Sequence, residues 1–154
     1  MRVMTGTTLS TYTTGTGADR AGTLTATPTA TYVAAKDTMT QSLAVTAFQA
    51  NLVVAAGETV TVTGAVNPVN QLNLSTRQPM IDDTGAAILW TGTVTAAVTL
   101  GASGEGTLVV TGPAINETDG QYNTVSHAIA SGDVITLGGA AVTTYQPNLF
   151  WHRQ

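Results

Sequence analysis

Two imidazoles, nine carboxylates and six serine hydroxyls are the groups in this chain that could carry metal, acid–base or nucleophilic chemistry. His127 and His152 lie far apart, and neither belongs to a spaced metal motif such as HExxH. A zinc site would have to complete its ligand set from scattered carboxylates, so His127 reads as a loop residue and His152 as part of the C-terminal segment. Asp82-Asp83 and Glu117-Thr118-Asp119-Gly120 are the carboxylate clusters. Paired acids can move protons or hold Ca²⁺, but neither cluster has the ligand spacing of an EF-hand loop. Adjacent acids followed by glycine read as turn residues. No serine sits in a Gly-x-Ser-x-Gly elbow. Gly101 to Gly106 lacks the Lys-Ser/Thr ending of a phosphate loop and reads as a hairpin turn. Cysteine is absent, which excludes thiolate metal sites, redox pairs and disulfides. The inventory predicts a protein that is not an enzyme and has no cofactor and no metal.

What positions these residues is a succession of short strands. At 154 residues the chain is one domain's worth, large enough to bury a core. Of its residues 43% are hydrophobic and only 9% charged, where about 25% charged is usual. Threonine fills 31 positions, and β-branched side chains suit a half-buried pleated surface. Thr59 to Gly64 alternates with a period of two, the pattern of a strand with one buried and one wet face. Ile88 to Thr95 and Thr107 to Thr111 read as strands paired across the Gly101–Gly106 turn. Val134 to Leu137 and Ala141 to Thr144 flank Gly138-Gly139, a two-residue hairpin signal. Val66 to Asn70 bends at Pro68, and residues 77–85 form a polar loop carrying Asp82 and Asp83. Thr38 to Ala50 is the single stretch that could form a helix. These readings predict an all-β fold, a small antiparallel β-barrel or sandwich of about six to eight strands over residues 31–154. Residues 1–30, rich in Thr and Gly, read as an extended arm that becomes ordered against a partner.

Charge narrows the partners. The formal net charge is −4, and Arg2, Arg20, Lys36, Arg77 and Arg153 are scattered, whereas a phosphate backbone requires clustered bases. No direct nucleic-acid binding is expected. No apolar run approaches a membrane helix, and residues 1–10 carry no apolar signal region, so no membrane partner is expected either. The sequons Asn73-Leu74-Ser75 and Asn116-Glu117-Thr118 would matter only in a secreted chain.

From Ala56 onward the order of features resembles the major coat protein family of P22-like tailed bacteriophages. Gly57-Glu58-Thr59-Val60-Thr61-Val62-Thr63-Gly64 is followed by Val66-Asn67-Pro68, a polar loop, and Trp90 to Thr95. Gly104-Glu105-Gly106-Thr107-Leu108-Val109-Val110-Thr111-Gly112-Pro113-Ala114-Ile115 comes next, then Tyr122 to Ser126 and Ser131 to Thr136. The chain closes on Asn148-Leu149-Phe150-Trp151-His152-Arg153. About 100 residues take part in the resemblance; the order of the motifs carries it, since glycine turns and Pro-Ala-Ile are common singly. The family's shell subunits continue past the terminal motif and contain a long spine helix that has no counterpart here. The chain therefore reads as the β-rich part of a coat protein, excised or standing alone.

The resemblance implies a virion (capsid) location and a structural role in subunit folding and self-assembly. The partners it implies are other copies of the coat protein and neighbouring capsid subunits. By position in the β region, the charged loop that holds neighbouring subunits together in that family falls on Arg77, Asp82 and Asp83; the alternative is an ordinary solvated hairpin tip. The C-terminal aromatics Tyr145, Phe150 and Trp151 either pack under the barrel or dock on a neighbouring segment. A second function class is an Ig-like or carbohydrate-binding module of a virion surface protein or an adhesin. It would need Trp90 or Trp151 exposed beside Asp82 or Asp83 as a sugar platform.

Overall fold

The computed structural model describes residues 11–29, 31–118 and 120–145. Among the described residues, ten strands and one helical turn follow in the order β1 (Tyr12–Thr13), β2 (Ala21–Leu24), α1 (Tyr32–Ala35), β3 (Thr40–Thr46), β4 (Val53–Val54), β5 (Thr59–Thr63), β6 (Thr91–Val94), β7 (Val98–Thr99), β8 (Gly106–Thr111), β9 (Val134–Leu137) and β10 (Thr144–Tyr145). Six of them close into an antiparallel barrel in the order β2-β3-β8-β6-β5-β9, with β9 pairing back onto β2. Two small ribbons, β1-β10 and β4-β7, stand outside the closed circuit. The fold is all-β, and of the two expected architectures it is the barrel.

Alternation along the strands builds the core. Leu43 and Val45 of β3, Val60 and Val62 of β5, Leu108 and Val110 of β8, and Ile135 and Leu137 of β9 all point inward and are buried. Threonines are frequent at the outward positions, Thr61 of β5 and Thr136 of β9 among them, and pair across the outside. Thr40 faces Thr111, Thr111 faces Thr93 and Thr93 faces Thr59, a row running over four neighbouring strands. Such cross-strand pairs contribute roughly 0.2–1 kcal/mol each relative to alanine. Two glycines make room for the large rings. A Cβ on Gly22 would lie 2.4 Å from the Phe48 ring, and one on Gly92 would lie 2.9 Å from the Trp90 ring. Trp90 is buried, and its indole N–H donates to the Gly112 carbonyl at 2.9 Å.

Three sequence expectations are corrected. Thr38 to Ala50 contains no helix; β3 occupies it, because Gln41, Leu43 and Val45 repeat every second residue, a strand period, and all three are buried. Gly138-Gly139 does not turn a hairpin. Both edges of β9 are taken by β2 and β5, and the Gly138 N–H donates to the Thr59 carbonyl, so residues 138–143 lead the chain out of the barrel to β10. Residues 11–29, assigned to the arm by composition, supply β1 and the barrel stave β2; residues 1–10 lie outside the described residues.

The entering and leaving ends of the described chain run side by side. Tyr12 pairs with Tyr145 and Thr13 with Thr144 in antiparallel register. The Thr14 hydroxyl donates to the Ala140 carbonyl at 2.7 Å and accepts the Thr143 N–H at 2.8 Å. Just inside this stalk lies the one ion pair among the described residues, Arg20 Nη2 to Glu58 Oε2 at 2.5 Å, with both side chains buried. Glu58 Oε1 accepts the Gly15 N–H, so one carboxylate holds both the strand entry and the residue before β2.

Breaking a buried pair strands a charge in a poorly solvating interior, at about 3–5 kcal/mol. Glu58→Gln is therefore expected to lower unfolding stability by about that amount. Arg20→Met combined with Glu58→Gln keeps an acceptor for Gly15 and should regain more than half of the loss. Urea unfolding of the two variants checks this, and an equal loss in both would show that the stranded charge is not the cause.

Candidate functional site

All barrel strands are antiparallel, so their connections divide between two ends. Residues 25–39, 64–90 and 112–133 are the long connections, and all emerge at the end away from β1 and β10. They converge on a surface groove of about 320 Å³, lined almost wholly by carbon. Tyr32 and Met39 come from the first connection, Leu74 and Arg77 from the second, and Ile115, Gln121, Tyr122 and Thr124 from the third. Binding residues carried on loops over a rigid barrel are a common arrangement.

Local chemistry fixes each contributor. Thr31 caps α1, its hydroxyl accepting the Ala34 N–H at 3.3 Å, and the single turn buries Ala35 while Tyr32 reaches the groove. Tyr32 stacks on Tyr122 with ring centroids 4.1 Å apart and planes 21° from parallel. Asn73 organises the next turn: its side-chain oxygen accepts the Ser75 and Thr76 N–H groups, and its carbonyl accepts the Arg77 N–H. Arg77 sits at φ +59° in consequence, and its guanidinium donates to the Asn123 carbonyl at 3.4 Å. Asn123 in turn clamps Glu117, accepting its N–H at 2.8 Å and donating to its carbonyl at 2.9 Å. Met39, Leu74 and Tyr122 remain about half exposed over the buried Ile115.

Asp82 and Asp83 stand apart from this groove, at the tip of a finger. Isolated bridges pair Leu72 with Pro79 and Ile81 with Ala87, and every residue from 73 to 87 is exposed. At the tip, Asp82 Oδ1 accepts the Thr84 N–H, the Thr84 hydroxyl and the Ala86 N–H within 2.7–2.9 Å. Gly85, at φ +87°, supplies the left-handed residue that closes the turn. Asp82 is thus consumed in shaping the finger. Asp83 accepts no hydrogen bond among the described residues, and Arg77 forms an ion pair with neither acid.

The remaining sequence candidates fall elsewhere. His127 is exposed on a loop, with Nδ1 3.1 Å from the Ser126 hydroxyl and 3.2 Å from the Pro68 carbonyl. Among the described residues no group of three or more His, Asp or Glu could hold a metal ion. His152, Phe150, Trp151 and Asp119 lie outside the described residues, as does the side chain of Tyr145. Composition missed Tyr32, Met39, Leu74 and Tyr122. The available signal was a single large apolar residue in polar surroundings, Leu74 within Asn73-Leu74-Ser75 and Tyr122 within Gln121-Tyr122-Asn123.

Among the described residues that line the groove there is no carboxylate and no imidazole. The groove offers aromatic and aliphatic faces with a guanidinium at the rim, which suits an apolar side chain lying next to a carboxylate. Compared with known protein families and with curated protein sequences, the chain matches none.

The three hydrogen bonds to Asp82 favour its charged form and hold its carboxyl below the ordinary 3.8, the Thr84 hydroxyl contributing most. A lowered folded value means that the tip's stabilisation is complete above about pH 5 and is lost as pH falls through the folded value. Hydrogen exchange at the Thr84 and Ala86 amides should show constant protection, corrected for intrinsic rates, from pH 7 to 5 and a decline in acid. Asp82→Ala should abolish that protection at neutral pH while leaving the β8 and β9 amides unchanged.

Proposed function

We propose that this chain is a structural module of a major capsid protein of the P22-like tailed-phage family, contributing to subunit folding and inter-subunit contacts in the virion shell. Its partners are other copies of the coat protein and neighbouring capsid subunits. Its role is structural rather than catalytic, and it engages neither nucleic acid nor membrane.

The observation that carries this reading is the β1-β10 ribbon. It brings the two ends of the described chain out as paired neighbours at one end of a closed barrel. That is the geometry of a module that can be carried within a larger subunit without disturbing it. The opposite end is then free to face outward, and it bears the groove, the finger and the candidate contact residues Arg77, Asp82 and Asp83. In this reading Arg77 and Asp83 meet neighbouring subunits, while Asp82 acts indirectly by holding the finger in shape. One weak contact per subunit is enough when a symmetric shell repeats it many times.

The order of motifs from Gly57 to Arg153 adds support, as does the low charge, which favours association. The carbohydrate-binding alternative loses one of its two candidate platforms, because the Trp90 ring is buried.

An antibody raised against the module, used to blot a sedimented lysate of its source, tests the proposal. The expected result is a band much larger than the 15.7 kDa of this chain, travelling with fast-sedimenting particles. A band at the chain's own mass in the slow fractions would remove the shell-subunit reading and put the free-standing binding module first.

A further inference from the structure

Two features at the loop end are left unexplained by the folding of a single chain. One is the half-exposed apolar groove of Tyr122, Leu74 and Met39. The other is Ile81, 66% exposed although it sits at a paired position on the finger, one residue from the acidic tip. A large aliphatic side chain held out on a braced stem adds nothing to the barrel core, and a contiguous exposed apolar face such as the groove's marks an interaction site.

We infer that the groove receives the finger tip of a second copy of this chain, with Ile81 packing against Tyr122, Leu74 and Met39 and Asp83 pairing with Arg77. The inference rests on the self-association reading above and names the surfaces that would carry it. Complementarity selects this occupant. The tip contributes an aliphatic side chain and, one turn residue beyond Asp82, a carboxylate with no partner among the described residues. The groove contributes carbon surface and a guanidinium that, among the described residues, makes a single long hydrogen bond to a carbonyl. With a formal net charge of −4, two copies repel at long range. A local opposite-charge contact beside an apolar plug therefore fixes orientation as well as adding affinity. The finger does not fill the groove of its own chain, since Ile81 and Leu74 are both exposed. Finger and groove share the connection 64–90, so two copies related by a twofold axis could exchange tips, and unreciprocated contacts would build rings or filaments.

The chain has no cysteine, so single cysteines report proximity cleanly. Ile81→Cys protein is mixed with Leu74→Cys protein under mild oxidation, and mixed-disulfide dimers are compared with those from Ile81→Cys and Val142→Cys. Val142 is equally exposed but lies beside the stalk. The expected result is several-fold faster capture of the Ile81/Leu74 pair. Adding Arg77→Asp to the Leu74→Cys protein should slow capture about tenfold, and adding Asp83→Arg to its partner should restore it. All five positions are exposed, and unchanged urea midpoints would confirm that the variants fold. Capture no faster than the stalk control, or a charge reversal that the second reversal does not repair, would overturn the pairing. The fate of the coat reading is decided separately, by the particle fractionation: a module found in particles whose finger fails to seek the groove associates through another surface.

Discussion

Closure of the barrel depends on holding its first stave, β2, against its last, β9, although more than a hundred residues separate them in the chain. Three paired residues, continued by backbone hydrogen bonds from Leu24 to Asp133 and from Leu137 to Arg20, hold this seam against the entropy of closing so long a loop. The Arg20–Glu58 pair adds a side-chain constraint at one end of it. It joins the residue just before β2 to the residue just before β5, and Glu58 also takes the Gly15 amide. Since β5 is itself paired to β9, fixing Arg20 to Glu58 sets β2 at the open edge of β9. Desolvation makes such a pair a poor source of net stability, so its value here lies in specifying which edge β2 joins.

The same constraint organises the two ends. With β2 and β9 locked together, the segments leaving them towards the stalk, 14–20 and 138–143, run close enough for Thr14 to bond Ala140 and Thr143. The stalk follows from closure. The opposite end carries no such requirement, which is why its three connections can be long and can build a surface. Buried polar groups stitch them to the barrel at few points. Asp133 accepts the Ala65 and Ala130 N–H groups, and Gln41 accepts the Ala114 N–H while donating to the Thr29 carbonyl.

The sequence made the strands legible where threonine and valine alternate. Thr59 to Gly64 and Thr107 to Thr111 match β5 and β8 to within a residue, because a period of two with buried valines has one physical solution in a barrel. Pairing was less legible than strand position. Gly138-Gly139 carries a strong local hairpin signal, yet non-local partners had already taken both edges of β9. The stave β2 was hidden for a different reason. Ala21-Gly22-Thr23-Leu24 offers one large apolar side chain, since Gly22 must stay small beside Phe48. Its low complexity marks a fitted position, which composition reads as an arm. Of the site, Arg77 was visible as a charge in a charge-poor chain. Its groove partners were not, because their proximity arises from three connections brought together by the barrel.

That distinction bears on how a chain this poor in charge can be specific. Threonine is the commonest polar residue, at 31 positions, and its hydroxyl discriminates poorly between partners because it donates and accepts alike. Discrimination must come from the few places where shape and charge coincide. Among the described residues one buried ion pair selects the internal edge at one end of the barrel. At the other end, one guanidinium beside stacked tyrosines and one unpartnered carboxylate beside an exposed isoleucine are the sharpest features left. A threonine belt that is neutral and β-branched stabilises the barrel without favouring a neighbour.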